Sequence, residues 1–342
     1  MLFKISKVNL SHVLKRENNN FDLIRLICSL SVIVFHAYYL FKSDQSDTGP
    51  LQQFRQASGS LAVYIFFYLS GVFITASFIN SNAFKFIVMR LLRIWPALIV
   101  CLLFTVFFVG PIVSGYTPRQ YFLEKSTWDY LLHGVLLYHL RFELPGVFKD
   151  NYYPSAVNGS LWTLPIEMFC YLSILILGLL TALKRPILIT VAYLTMLLLY
   201  GFNIFHVADY MPAPLPFFIV GSLSYFIGKY LLIDVKLLLV FIALWGCFHT
   251  SWLLYAVIMY GVIYLGATKW FRKVKLPGDY SYGVYIYGFL IQQIIAFYFP
   301  NLHPIYSIFI TLPIVLAISI ISWHLIELPS INLGKRYFKK AV

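Results

Sequence analysis

The sequence predicts an all-α, polytopic integral membrane bundle of about ten transmembrane helices, and three observations carry that expectation. Of the 342 residues, 60% are hydrophobic and only 11% are charged, more apolar surface than a water-soluble globule can hide. Apolar runs recur from residue 23 to residue 327 with no polar interval large enough to fold alone. Lys and Arg gather in short clusters between those runs, as membrane topology requires.

A transmembrane helix needs roughly 20 mostly apolar residues. Windows of that kind lie at 23–41, 61–79, 94–113, 161–180, 187–205, 215–233, 235–249, 253–268, 280–299 and 305–327. The pair 235–249 and 253–268 is separated by the polar tetrad His249-Thr250-Ser251-Trp252 and reads as a tight helical hairpin. The whole chain, 1–342, reads as one transmembrane domain with an outer loop at about 114–160 and short cytoplasmic tails at 1–22 and 328–342. Starting inside, the segments predicted to be cytoplasmic hold twenty of the 26 basic residues, and Lys42, Arg55, Arg119, Lys125, Arg141 and Lys149 fall outside. Both termini are therefore expected in the cytoplasm. A net charge of +13 would suggest nucleic acid in a soluble protein; here topology accounts for it, and no nucleic-acid partner is expected. Cys28, Cys101, Cys170 and Cys247 sit inside apolar runs without paired spacing, so neither a disulfide framework nor a metal site is expected.

The outer loop is too long for a mere connector. Its aromatics, among them Trp128, Tyr130, Tyr138, Tyr152 and Tyr153, with Trp162 just beyond, read equally as an interfacial belt or as a surface for stacking sugars. Ionisable groups inside lipid are costly unless they face a cavity or a partner. His36 and Glu167 are two such groups. Arg25 and His36 lie eleven residues apart, about 1100° of helical rotation, so one stripe of one helix carries both at a separation of roughly 16 Å. On position alone His36 suits a packing histidine bonded to a backbone carbonyl more readily than a catalytic base, and Arg25 suits topology. Arg90 and Arg93 share a face at i, i+3 and can clamp phosphates, although such a pair alone usually marks the positive inner side. Trp95-Pro96 is expected to break or start a helix there.

With these residues in place the chain resembles the acyltransferase 3 family, the bacterial membrane O-acyltransferases of surface polysaccharides. FDLIRLICSLSVIVFH at 21–36 is similar to the family's opening motif, in which an Arg and a His are separated by ten residues. VYIFFYLSGVFI at 63–74, FIVMRLLRIWPAL at 86–98, LWTLPIEMFCYL at 161–172 and WHLIELP at 323–329 match further motifs in order. Two departures are Thr163, where the family commonly has Ser, and Gly288 in DYSYGVYIYGFLI at 279–291, where many members have His.

The resemblance implies an O-acetyltransferase of the bacterial inner membrane with cytoplasmic acetyl-CoA as donor substrate, no bound cofactor, and a hydroxyl of a surface polysaccharide or its lipid-linked precursor as acceptor. Arg25, Arg90 and Arg93 would bind the donor. His36 would act as general base, Glu167 would orient or stabilise its imidazole, and Trp128, Tyr152, Tyr153 and Trp162 would face the acceptor. A glycan or lipid transporter would show internal repeats, and none is evident. A polysaccharide polymerase would show two large arginine-rich outer loops, whereas only one outer loop is long.

Overall fold

The computed structural model describes residues 8–42, 50–154, 156–180 and 214–340. Among them the main helices are α1 (Phe21–Leu40), α2 (Pro50–Ile79), α3 (Ala83–Phe104), α4 (Lys125–Leu136), α5 (Thr163–Leu179), α6 (Leu215–Phe226), α7 (Val235–Phe248), α8 (Ser251–Ala267), α9 (Ser281–Tyr298), α10 (Pro304–Ser322) and α11 (Leu328–Lys340). Among the described residues, sheet structure is limited to a two-residue antiparallel pairing of Val8–Asn9 with Leu232–Ile233. The fold is thus helical, as the composition requires.

Five helical segments are long and apolar enough to cross a membrane: Phe21–Leu40, Ser58–Ile79, Ala83–Val113, Gly159–Leu179 and Pro304–Lys339. The predicted window 187–205 lies outside the described residues. Three other windows shorten to helices of 12, 14 and 17 residues, α6, α7 and α8. At 1.5 Å per residue α6 covers only about 18 Å of a hydrocarbon core near 30 Å. Window 215–233 is cut short because the chain turns after Phe226 and gives Leu232–Ile233 to the small sheet. The α7–α8 hairpin forms as expected, with His249 in the left-handed region (φ 49°) closing α7.

One expectation is corrected. Trp95-Pro96 neither breaks nor starts a helix, because α3 runs from Ala83 to Phe104 with Pro96 inside it. Proline removes one backbone donor, and a transmembrane helix tolerates that when neighbouring groups and local adjustments satisfy the freed carbonyl. Below α3 the helix opens into a π turn at Thr105–Val109, and a second π turn at Trp323–Glu327 joins α10 to α11.

The chain forms two compact units. The first comprises Met1–Cys28, Val63–Ala83 and Cys170–Asp279. Its core is a close crossing of α2 and α6. A Cβ on Gly71 would stand 2.0 Å from the carbonyl oxygen of Phe218, and one on Gly221 would stand 2.0 Å from that of Tyr68. Small residues admit this backbone contact, and the hydroxyls of Thr75 and Ser222 bond across it at 2.7 Å. The second unit comprises Ser29–Ala62, Phe84–Phe169 and Tyr280–Val342. There α9, buried on nearly every face, packs along α10, and Gly334 of α11 lies against Leu92 and Met89 of α3.

Candidate functional site

Every sequence-predicted site residue except Arg25 falls in the second unit. Arg25, in the first, forms an ion pair with Asp279 at 2.8 Å. Asn20, just before α1, donates to the carbonyls of Phe271 (2.8 Å) and Val274, which fixes the start of α1 against the basic segment Lys269–Lys275.

His36 stands on α1 between two rings, Phe35 at 5.4 Å and the edge-on Phe289 of α9 at 5.0 Å. Its Nδ1 is occluded and has no hydrogen-bond partner. The backbone-carbonyl bond of a simple packing histidine is therefore not made by this nitrogen, and Glu167 does not hold it either. Glu167, on the first turns of α5, lies close enough to Tyr282 and Tyr285 of α9 for its charge to act on both. The Tyr285 hydroxyl is shared with that of Thr163 at 2.7 Å, so the threonine found where relatives carry serine still supplies its oxygen.

The two arginines of α3 differ. Arg93 bonds the carboxylate of Glu327, which is 1% exposed and also accepts from the Ser322 hydroxyl at 3.1 Å. The Arg93 guanidinium is flanked by the rings of Tyr282 at 5.4 Å and Trp323 at 5.3 Å. It is thus charge-paired and stacked, the setting in which a planar guanidinium is worth most. Arg90, three residues earlier, has a buried Nε without a partner.

The outer segment is not a slack loop. Thr117 caps the short helix Pro118–Leu123 through a capping box, and α4 follows. Burial raises the Tyr121 and Tyr130 hydroxyls above the ordinary tyrosine range, so both stay neutral. The segment is pinned to α9 by polar groups that sequence reading did not single out. Asn151 Nδ2 donates to the Gln293 carbonyl at 3.0 Å and to its Oε1 at 2.7 Å. Gln293 Nε2 donates to the carbonyls of Tyr153 at 2.8 Å and Ala156 at 2.6 Å. Asn158 Nδ2 donates to the Ile286 carbonyl at 2.8 Å. Two consecutive glutamines in an otherwise apolar helix were the available signal, because buried amides in a membrane helix require partners.

These bonds bring part of the expected acceptor surface to the histidine. The Tyr153 ring lies 6.4 Å from Phe289, which itself borders His36. Tyr152 is 53% exposed beside it, and Trp162 ends the 3₁₀ turn Gly159–Trp162 that leads into α5. Trp128 is placed differently, in a cluster with Phe107 and Phe122, its indole N–H donating to the Phe122 carbonyl at 2.9 Å. Gly288 also acquires a reason. A Cβ there would stand 3.0 Å from Cγ1 of Ile33, so α9 approaches α1 closely one turn before His36.

Comparison with known proteins agrees with this arrangement. The chain is similar to an O-acetyl transferase of Shigella phage Sf6, 29% identical over 333 residues that cover 91% of this chain and 95% of that protein. It is also similar to Nodulation protein 10 of Rhizobium leguminosarum bv. viciae, 33% identical over 164 residues, 46% of this chain and 43% of that protein. No solved structure gives a significant match. The family model described as an acyltransferase domain matches residues 18–324, nearly the whole chain and all of the residues assembled around His36, and the chain therefore belongs to that family of membrane acyltransferases.

Proposed function

We propose that this chain is an O-acetyltransferase. It moves an acetyl group from cytoplasmic acetyl-CoA to a hydroxyl of a surface polysaccharide, or of its lipid-linked precursor, at the outer face of the bacterial inner membrane. The observation that carries the reading is His36: an imidazole in a membrane helix, unpaired at Nδ1 and bordered by the same phenylalanine that meets Tyr153. The O-acetyl transferase similar along nearly its full length supports the reaction type.

In this reading His36 Nε2 removes the proton of the acceptor hydroxyl as its oxygen attacks the thioester carbonyl. The tetrahedral intermediate then collapses, the C–S bond breaks, and the leaving thiolate takes the proton to give CoA thiol. Imidazole suits the step because its ordinary pKa, near 6.5, leaves a free lone pair at neutral pH. Glu167 supports the imidazolium that forms in turnover through its field rather than by a direct bond to Nδ1. Arg90, with an unsatisfied Nε, offers the donor phosphates an open guanidinium, Arg93 is held in place by Glu327, and Arg25 faces the donor from the inner end of α1. Tyr152, Tyr153 and Trp162 flank the sugar, with Trp128 further along the outer segment. The exposed rings favour a carbohydrate, whose C–H faces stack on aromatic side chains while its hydroxyls stay wet.

The test is direct. Expressed in cells that make a suitable surface glycan, the protein should add a base-labile ester. His36→Ala should abolish the ester while leaving acetyl-CoA binding nearly intact, and Arg90→Ala should weaken donor binding. An ester formed equally by the His36 variant, or purified protein that never consumes acetyl-CoA with the glycan present, would overturn the mechanism.

A further inference from the structure

Two unpartnered polar atoms lie about one helical turn apart in the second unit. Gln292 is fully buried on α9. Its Nε2 donates to the carbonyl of Ile33 on α1 at 2.9 Å, and its Oε1 has no partner. Because a backbone carbonyl can only accept, that bond fixes which end of the amide is which. His36 follows Ile33 by three residues, about 4.5 Å further along α1, and its Nδ1 is occluded and unpartnered. Phe289, three residues before Gln292, borders the His36 ring, and Gly288 lets that stretch of α9 close on Ile33. One short face of α9 therefore meets the turn of α1 that ends at His36.

An amide oxygen is an acceptor only, and an imidazole nitrogen that carries hydrogen is a donor. The two orphans are complementary in one of the two neutral tautomers of His36 and repel in the other. We propose that Gln292 is a positioning residue for acetyl transfer: its Oε1 receives the Nδ1 hydrogen of His36, directly or through one water. The neutral imidazole is thereby held with the Nε2 lone pair free for the acceptor hydroxyl. Left to itself, neutral imidazole divides between tautomers, and the one protonated at Nε2 cannot act as base there. In hydrolase triads an acid fixes the tautomer; here a neutral amide would do so without placing a charge in the apolar interior. This inference rests on His36 as the base, and its test separates the two claims.

The full-length protein is labelled with ¹⁵N-histidine and reconstituted in lipid, and the His36 ring signals are assigned by their loss in His36→Ala. Native protein should show a protonated Nδ1 and a bare Nε2. Gln292→Met, nearly isosteric but without acceptor or donor, should shift His36 toward the Nε2–H form. It should also lower kcat on the order of ten- to a hundred-fold with the acceptor KM nearly unchanged. Gln292→Glu keeps an acceptor oxygen in either protonation state and should retain the native tautomer and most of the turnover. A native protein already protonated at Nε2, or a tautomer unmoved in folded Gln292→Met, overturns the contact. A tautomer that responds to Gln292→Met while His36→Ala still transfers acetyl supports the contact and removes the base instead.

Discussion

Arg93 and Glu327 meet across 234 positions of sequence, in surroundings that leave 14% of one side chain and 1% of the other exposed. Removing either partner strands a charge in a medium that solvates it poorly, at a cost of about 3–5 kcal/mol. Arg93→Ala and Glu327→Ala should each lower the unfolding temperature in detergent, and the pair Arg93→Met with Glu327→Leu should lose much less than the two single losses combined. Additive losses would show that the contact carries no coupling. The arginine and the Glu-x-Pro segment were each visible as motifs, but nothing in either spacing says that they touch. Side-chain partners remote in sequence are written in the packing, not in local periodicity. The same limit hid Asn151, Asn158 and Gln293, whereas Arg25 and His36 could be placed on one helix because both belong to one uninterrupted run.

Helices were the most legible level, since length and apolarity define them without tertiary knowledge. Where the reading erred, it erred through rules learned in water. Pro96 was expected to mark an end and instead lies within α3, and the window 215–233 was read as one span although only Leu215–Phe226 is helical within it. The α2–α6 crossing makes a test of element packing. At Gly71 and Gly221 the atoms that a new methyl would strike belong to backbone, which cannot rotate away. Gly71→Ala and Gly221→Ala should each destabilise by about 1–3 kcal/mol. Gly246→Ala on α7 would meet nothing within 4 Å and should be neutral or slightly stabilising, as helix propensity dictates. Thermal unfolding of the three variants would check the contrast, and equal losses would refute the packing account.

At the scale of the molecule, the uneven division of basic residues argues for an orientation with both termini in the cytoplasm and the 114–160 segment outside. Three native cysteines are buried and Cys247 is exposed, so Cys247→Ser gives a quiet background for labelling. In that background an impermeant maleimide should modify Lys149→Cys in intact spheroplasts and reach Lys273→Cys only after the membrane is opened. The reverse pattern would invert the topology and, with it, the proposed sides for donor and acceptor.

The π turn at Trp323–Glu327 carries one more implication. A π turn holds one residue more than the α turn it replaces, so it behaves as an insertion retained within a continuous helix. That surplus residue sets the phase of everything after it. Excising it would restore ordinary winding and rotate α11 by about 100°, turning Gly334 away from Leu92 and Met89. The end of the chain is thus a part of the protein in which spacing matters as much as identity: a neighbouring substitution changes one contact, whereas a frame-preserving deletion changes the bearing of a whole helix.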